Sequence, residues 1–429
     1  MANNLARPPG GILDDASRGG VATVPVSCRS NACLICHCKP PSSNEETPPG
    51  AQPTARDSFG DLPEELLPTI LSKLDDVKQA ARTSLLSRRW RHAWKHSPKL
   101  TLDIVAMCGD GRAFVYRELY VQRFIDAVDE ILHQRRGGAV EELELRFDES
   151  HLPQVSSHLN VWIRFAVSSR ATSVRLLVWE TLPGHGRYGL PLQLLDAGEG
   201  VSILRHIHLS SVSLKVPPRT QSIGFPNLKS LGLRSAFVSS SDLQHMLSNC
   251  SNLERLDLHT AASSLPNAFH MVQRLSLYCT CRLPTVPSPL ENTSRFPYLR
   301  YLQLLFCIYP EHPDAALSVA YFLESAPLLE ELEIKFVSAF KYGGEGPPRR
   351  LAQGRSEYYK CLKSMRAREF TGQRDQLELM IHIVENAPAL EILTIDATRQ
   401  QVPADMDIRH RATTSISEKL SAKTKFIVV

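Results

Sequence analysis

The chain has 429 residues, 43% of them hydrophobic and 22% charged, with a formal net charge of +4. That charge is too small for a chain-wide nucleic-acid footprint, which needs a dense basic face. No run approaches the roughly eighteen apolar residues of a membrane span, and the start, MANNLARPPGGILDD, lacks the basic-then-apolar order of a secretory signal. The expected compartment is the cytosol or nucleus, with the ten cysteines as thiols and not a disulfide framework.

Residues 1–56 are rich in Pro, Gly, Ser and Asn and have no hydrophobic periodicity, which predicts a disordered tail. Within it, CRSNACLICHC crowds Cys28, Cys33, Cys36 and Cys38 around His37. The Cys33-x-x-Cys36 spacing suits a zinc knuckle, but a four-ligand site normally draws a second pair from a distance. No metal is expected there.

Residues 57–103 change character. Leu67, Ile70, Leu71 and Leu74 form an i, i+3, i+4, i+7 stripe, and Val77, Ala80, Ala81 and Leu85 form a second. Trp90 and Trp94 then stand at i, i+4 on a third short helix. Pro68 is expected to open the first helix at N1, with Leu67 extended before it and the helix running from Pro68 to Leu74. Acids gather in the first half (Asp61, Glu64, Glu65, Asp75, Asp76) and bases in the second (Arg82, Arg88, Arg89, Arg91, Lys95, Lys99). Helices this short are near the lower limit for an independent core, so the unit should need a partner. The tract Arg88–Lys99 is basic, but tryptophans interleaved at helical spacing point to core and not to nucleic acid.

The segment resembles an F-box, in the plant form that reads L-P, I-L-x-x-L, then R-T-S-x-L-S-x-R-W-R-x-x-W. Here these are Leu62-Pro63, Ile70-Leu71-x-x-Leu74 and RTSLLSRRWRHAW from Arg82 to Trp94. The resemblance implies docking on a Skp-type adaptor and, through it, a cullin ubiquitin ligase. By position, Leu62, Pro63, Ile70, Leu71, Leu74, Leu86, Ser87, Arg89 and Trp90 would make or shape that contact. Exposed Leu-Pro and Trp anchors with flanking basic charge would suit a partly apolar, acidic partner. The alternative is that these helices only cap a repeat array, which needs an end.

From residue 104 a different signature takes over. PNLKSLGLRS, SNLERLDLHT, FPYLRYLQLLFC, PLLEELEIKF and PALEILTIDA share the frame L-x-x-L-x-L. Its anchors are Leu228/Leu231/Leu233, Leu253/Leu256/Leu258, Leu299/Leu302/Leu304, Leu329/Leu332/Ile334 and Leu390/Leu393/Ile395. Looser copies fall at Val140/Leu143/Leu145, Ala171/Val174/Leu176, Leu204/Ile207/Leu209, Val272/Leu275/Leu277 and Leu362/Met365/Ala367. Their spacing, mostly about 19 to 33 residues, lies near the leucine-rich-repeat range. Each copy predicts one strand whose final L-x-L points inward around a solvated residue. Helix-like pieces such as SSDLQHMLSNC and AALSVAYFLESA lie between, and only stacking can cover each copy's apolar face.

The last repeats, EFTGQRDQLELMIHIVENAPALEILTID, resemble the C-terminal FBD module of plant F-box proteins: F-T-G, a helix ending E-N-A-P, then L-E-x-L-x-I. Ala367 departs from that pattern, being small where the strand usually carries a bulky aliphatic.

GHGRYG places Gly184, Gly186 and Gly189 in dinucleotide-loop order, but Pro191 stands where the phosphate-binding helix should open, so no cofactor is expected. Cys279 and Cys281 read as lining residues of a repeat turn, and His206 and His208 fall on the solvent side of one strand. No metalloprotease, hydrolase or Walker motif is present.

The expected architecture is α/β: a disordered tail (1–56), a three-helix F-box (57–103), irregular leucine-rich repeats of parallel strands alternating with helices (104–358), and FBD-like repeats (359–429). The expected function is substrate recognition for a Skp–cullin–F-box ligase, without catalysis, cofactor, metal, nucleic acid or membrane. The alternative is a repeat scaffold or sensor capped by F-box-like helices. Strand alternation makes Arg234, Glu254, Arg255, Asp257, His259, Gln303, Glu330, Glu331, Glu333 and Lys335 the candidate target contacts.

Overall fold

The computed structural model describes residues 62–63, 65–74, 77–83, 90–109, 117–135, 139–179, 186–195, 202–215, 225–259, 271–279, 296–308, 315–338, 359–396 and 406–429. The expectations for the tail and its cysteines, and for Leu85, Leu86, Ser87, Arg89, Gly184 and Cys281, lie outside the described residues.

In chain order the strands are β1 (Lys99–Asp103), β2 (Glu142–Asp148), β3 (Ser173–Trp179), β4 (Tyr188–Pro191), β5 (His206–Ser210), β6 (Val212–Lys215), β7 (Ser230–Arg234), β8 (Arg255–His259), β9 (Arg274–Cys279), β10 (Tyr301–Ile308), β11 (Glu331–Ser338), β12 (Ser364–Arg368), β13 (Ile392–Asp396) and β14 (Lys425–Val428). All but β4 and β6, which pair with each other, form one twelve-stranded sheet in sequence order. Every pairing in it is parallel.

Each of the ten L-x-x-L-x-L frames supplies one strand, and the register joins their inward pairs without a slip. Leu231 lies beside Leu256 and Leu233 beside Leu258, and the same holds from Leu143/Leu145 to Leu393/Ile395. A one-residue shift would turn every apolar pair to solvent, which is why the register is so strictly kept. The first anchor of each frame is buried in the preceding turn, as at Leu228, Leu253, Leu299, Leu329 and Leu390. The strand start of each of the ten frames is fastened alike: two successive amides donate to one carbonyl ahead of the neighbouring strand. Glu254 and Arg255 donate to Lys229 O at 3.0 and 2.9 Å, and Glu330 and Glu331 to Arg300 O at 2.9 Å each. Ala367 sits in register between Ile334 and Ile395, fully buried. The small side chain leaves the frame intact.

Two strands lie beyond the ten frames. β1 adds Leu100 and Leu102 before Leu143 and Leu145, and β14 adds Phe426 and Val428 after Leu393 and Ile395. Both lack an apolar residue in the frame's first slot, which holds Ser97 and Lys423. An end strand has a neighbour on one side only, so its frame need not be complete.

The helices are α1 (Leu66–Leu71), α2 (Val77–Arg82), α3 (Trp90–Ala93), α4 (Ile104–Cys108), α5 (Arg117–Gln134), α6 (Leu152–Ser168), α7 (Ser240–Ser248), α8 (Ala315–Glu324), α9 (Arg374–Glu385) and α10 (Met406–Ser417). The helix-like pieces predicted between strands are α7 and α8. Ser239 caps α7, its hydroxyl accepting from Asp242 N at 3.0 Å. The expected helix from Pro68 to Leu74 is displaced: it begins at Leu66, preceded by a turn in which Leu66 N donates to Pro63 O at 3.1 Å, and Leu67 is helical, not extended. Pro68 still lies in the first turn, where an amide has no intrahelical acceptor, so its missing N–H removes no helix bond.

The N-terminal helices are built into the end of the sheet. Leu67, Leu71, Val77, Ala80, Trp90 and Trp94 join the same core as Leu100 and Leu102. Arg135, after α5, is 2% exposed and clasps this junction: its guanidinium donates to Trp94 O at 3.1 Å and also to Ser97 O. Burial pulls its pKa down to about 10.

Two substitutions test this packing by urea unfolding. Leu256→Ala in the middle of the ladder should cost about 2–5 kcal/mol, as cavity-forming changes do, whereas Ser276→Ala on the opposite face should stay within about 0.5 kcal/mol. Arg135→Ala removes two charge-assisted bonds from buried carbonyls and should cost roughly 2–4 kcal/mol.

Candidate functional site

Two surfaces remain after the core is filled. The first is the outer side of α1. Leu66 is 46% and Ile70 38% exposed, one turn apart, while Leu67 and Leu71 face inward. Pro63 is exposed, and Leu62 and Leu74 are half-buried against the core edge. Leu66 and Ile70 therefore form an outward i, i+4 pair, a stripe beside the one that builds the core. Leu66 was not singled out from the sequence, because the inward stripe through Leu67 masks the outward one. The tryptophans are not exposed anchors as expected: Trp90 is 2% and Trp94 6% exposed. They are the largest apolar groups available to so small a helical unit, and its core takes them. Of the residues carried over from the resemblance, Leu62, Pro63, Ile70 and Leu74 line the outer side, and Leu71 and Trp90 lie beneath it.

The second surface is the polar face of the sheet, where three rows of side chains run across the strands. At the N-terminal end the cations are matched. Arg146 binds Glu144 and lies 3.8 Å from Asp103, while Arg175 lies 3.7 Å from Glu144 and 4.0 Å from Glu142. Near the C-terminal end Arg368 lies 2.9 Å from Glu333 and Lys335 3.3 Å from Glu369. Along the strand starts, Lys229 pairs with Glu254 at 3.3 Å, and Glu330 takes both Arg300 and Lys363. Lys363, then Arg300, hold the Glu330 carboxyl below its ordinary range.

The centre differs. Arg234, Arg255 and Asp257 stand on β7 and β8 outside any ion pair among the described residues, and Arg274 lies over the Tyr301 ring at 4.0 Å. His259 stacks on Tyr278, centroids 5.4 Å apart and planes 7° off parallel. His208 lies over Gly232, where a Cβ would come within 2.3 Å of its Nδ1, so this glycine gives the ring its place. Burial, then the cations Arg175 for His208 and Arg234 for His259, push both imidazoles below their ordinary pKa. They stay neutral near pH 7.

The candidate target contacts thus divide. Glu254, Glu330 and Lys335 are tied to neighbours in the fold. Glu333, expected in solvent, is buried beneath Gln303, which donates to it at 3.0 Å, and Arg368. The outward slot of a strand is no guarantee of exposure when long neighbours fold over it. Arg234, Arg255 and Glu331 are exposed, and Asp257, His259 and Gln303 half-buried. Gly189 and Pro191 belong to β4, which runs into a single 3-10 turn, Leu192–Leu195, and not into the α-helix a dinucleotide loop needs. Among the described residues, no helix is long and apolar enough to cross a membrane.

The F-T-G motif has a structural cause. Phe370 is buried against Phe336, the Thr371 amide donates to Gln376 Oε1 at 2.8 Å, and Gly372 adopts φ 79°. The three turn the chain from β12 into α9, and Asn386 ends that helix by donating to His382 O at 2.8 Å. The left-handed φ is the reason for glycine.

Comparison with known proteins agrees with this architecture. The family model described as At1g61320/AtMIF1, LRR domain, matches residues 131–261 and 258–427, and the F-box domain model matches residues 59–102. The F-box/FBD/LRR-repeat protein At1g13570 of Arabidopsis thaliana is 26% identical over 80% of this chain and 77% of its own. The FBD-associated F-box protein At5g56370 is 28% identical over 62% of this chain and 59% of its own, and the putative F-box/LRR-repeat protein At3g59160 26% identical over 60% of each, both from the same plant. The chain thus spans about three-fifths of the latter two. Among solved structures, an internalin from Listeria monocytogenes aligns at a TM-score of 0.29 and 13% identity over 62% of this chain and 77% of its own, a likeness too slight to build on. With more than half its length matched by one family model and an F-box ahead of it, this chain belongs to the At1g61320/AtMIF1 LRR-domain family and is a plant F-box/leucine-rich-repeat protein with FBD-like features.

Proposed function

We propose that the chain is the substrate receptor of a Skp–cullin–F-box ubiquitin ligase, the F-box docking on a Skp-type adaptor and the repeat sheet holding the target. The observation that carries this reading is the exposed apolar row of α1. Leu66 and Ile70 face outward beside Pro63 on a helix of six residues, too short to be stable without neighbours. An apolar row left in solvent on a unit that already has a core is best accounted for by a partner that covers it.

In this reading the chain does no chemistry and acts by proximity. A target held on the sheet lies near the charged conjugating enzyme at an effective concentration that can reach the mM range for a short rigid linkage. Rigidity follows from β1, which belongs both to the F-box segment and to the sheet, and from the Arg135 clasp. The capping alternative is compatible with the same residues, because one face of the helices closes the first strand and the other stays free.

Co-purification with a Skp-type adaptor tests the proposal. Leu66→Asp/Ile70→Asp should weaken adaptor binding about 100-fold or more, given roughly 1.5 kcal/mol or more for each buried aliphatic lost. The thermal midpoint should stay near wild type, since both side chains are exposed. Undiminished recovery, or no adaptor recovered with wild type, contradicts the proposal.

A further inference from the structure

Parallel strands set register partners side by side, about 4.8 Å apart, on the same face. On the central polar face Arg234 stands beside the neutral His259, and Arg255 beside Arg274, a pair of cations. Like charges placed this way work against folding. At both ends of the sheet the fold supplies its own carboxylates: Glu142, Glu144 and Asp103 answer Arg146 and Arg175, and Glu333 and Glu369 answer Arg368 and Lys335. At the centre Asp257 is the one carboxylate on the face of β7, β8 and β9, and it ion-pairs with none of the three arginines.

We infer that the face of β7, β8 and β9 binds an acidic protein segment, one carrying several separate carboxylates, whose charges answer arginines that stand outside any ion pair among the described residues. Resting on the substrate-receptor reading, this identifies the chemical class of the target. The layout selects the ligand. Arg255 and Arg274 begin their strands, whereas Arg234 and His259 end theirs, about 13 Å further along at four residues of strand rise. One phosphate cannot reach both pairs; a run of Glu or Asp side chains can. Stacked His259 and Tyr278, and Arg274 resting on Tyr301, give the segment flat, preformed surfaces that lose little side-chain freedom on binding.

The test is fluorescence anisotropy with the full chain and labelled ligands of equal length: a Glu-rich peptide, a neutral one, a Lys-rich one, a neutral one with a single phosphoserine, and single-stranded RNA. The Glu-rich peptide should bind at least about tenfold tighter than each of the others and weaken as salt is raised. Arg255→Gln/Arg274→Gln, and separately Arg234→Gln, should abolish that preference, and the double variant should melt at or above the wild-type temperature because a repulsion is gone. Equal binding of all ligands, preference for the phosphoserine peptide or RNA, or a double variant that keeps the preference or melts lower would overturn the inference. No adaptor is present in the assay, so its failure leaves the F-box reading standing, and failure of adaptor docking leaves this one standing.

Discussion

Each strand of the sheet carries an apolar pair that can leave water only against the same pair in the next strand. Leu231 and Leu233 are covered by Ile207 and Leu209 on one side and Leu256 and Leu258 on the other. No repeat has a core of its own, so stability is a property of the stack. Everything else in the architecture follows from keeping that ladder in step: the paired amides at the strand start of each frame, the glycine turn of the F-T-G motif, and a first anchor in each of the ten frames buried before its strand begins.

The same constraint explains how the F-box is attached. A stack needs an end, and here β1 provides it from within the helical segment, so the helices inherit the rigidity of the sheet. Their inner faces, with Trp90 and Trp94, are used up in making that end. What remains outward is the apolar row through Leu66 and Ile70. The polar side of the sheet is likewise divided. Its flanks are tied together by ion pairs that hold neighbouring strands, while at its centre Arg234 and Arg255 stand outside any ion pair among the described residues.

Much of the fold was legible in the sequence because period and burial coincide. L-x-x-L-x-L is the trace left by one buried turn residue and two inward strand residues, and even its weakest copy, Leu362/Met365/Ala367, keeps register. The end strands were not legible, since Ser97 and Lys423 break the frame where half the neighbours are missing. The candidate surfaces were legible only in part. The outward row of α1 hides behind a stronger inward stripe that shares Ile70, and Pro68 drew the helix start two residues too late. On the sheet, strand alternation gives the side on which a residue lies but not what folds over it, as Glu333 demonstrates. Which charges lie beside one another depends on register between distant segments, so the pairing of Arg255 with Arg274 appears only in three dimensions.

The central claim is that F-box and repeats form one continuous body through β1. Native-state hydrogen exchange measures it directly. If β1 is part of the ladder, the amides of Leu100 to Asp103 should open with those of β2, with protection within about tenfold. Exchange of β1 far faster than β2, in step with α1 and α2, would mean that the F-box opens independently of the sheet and would contradict this account.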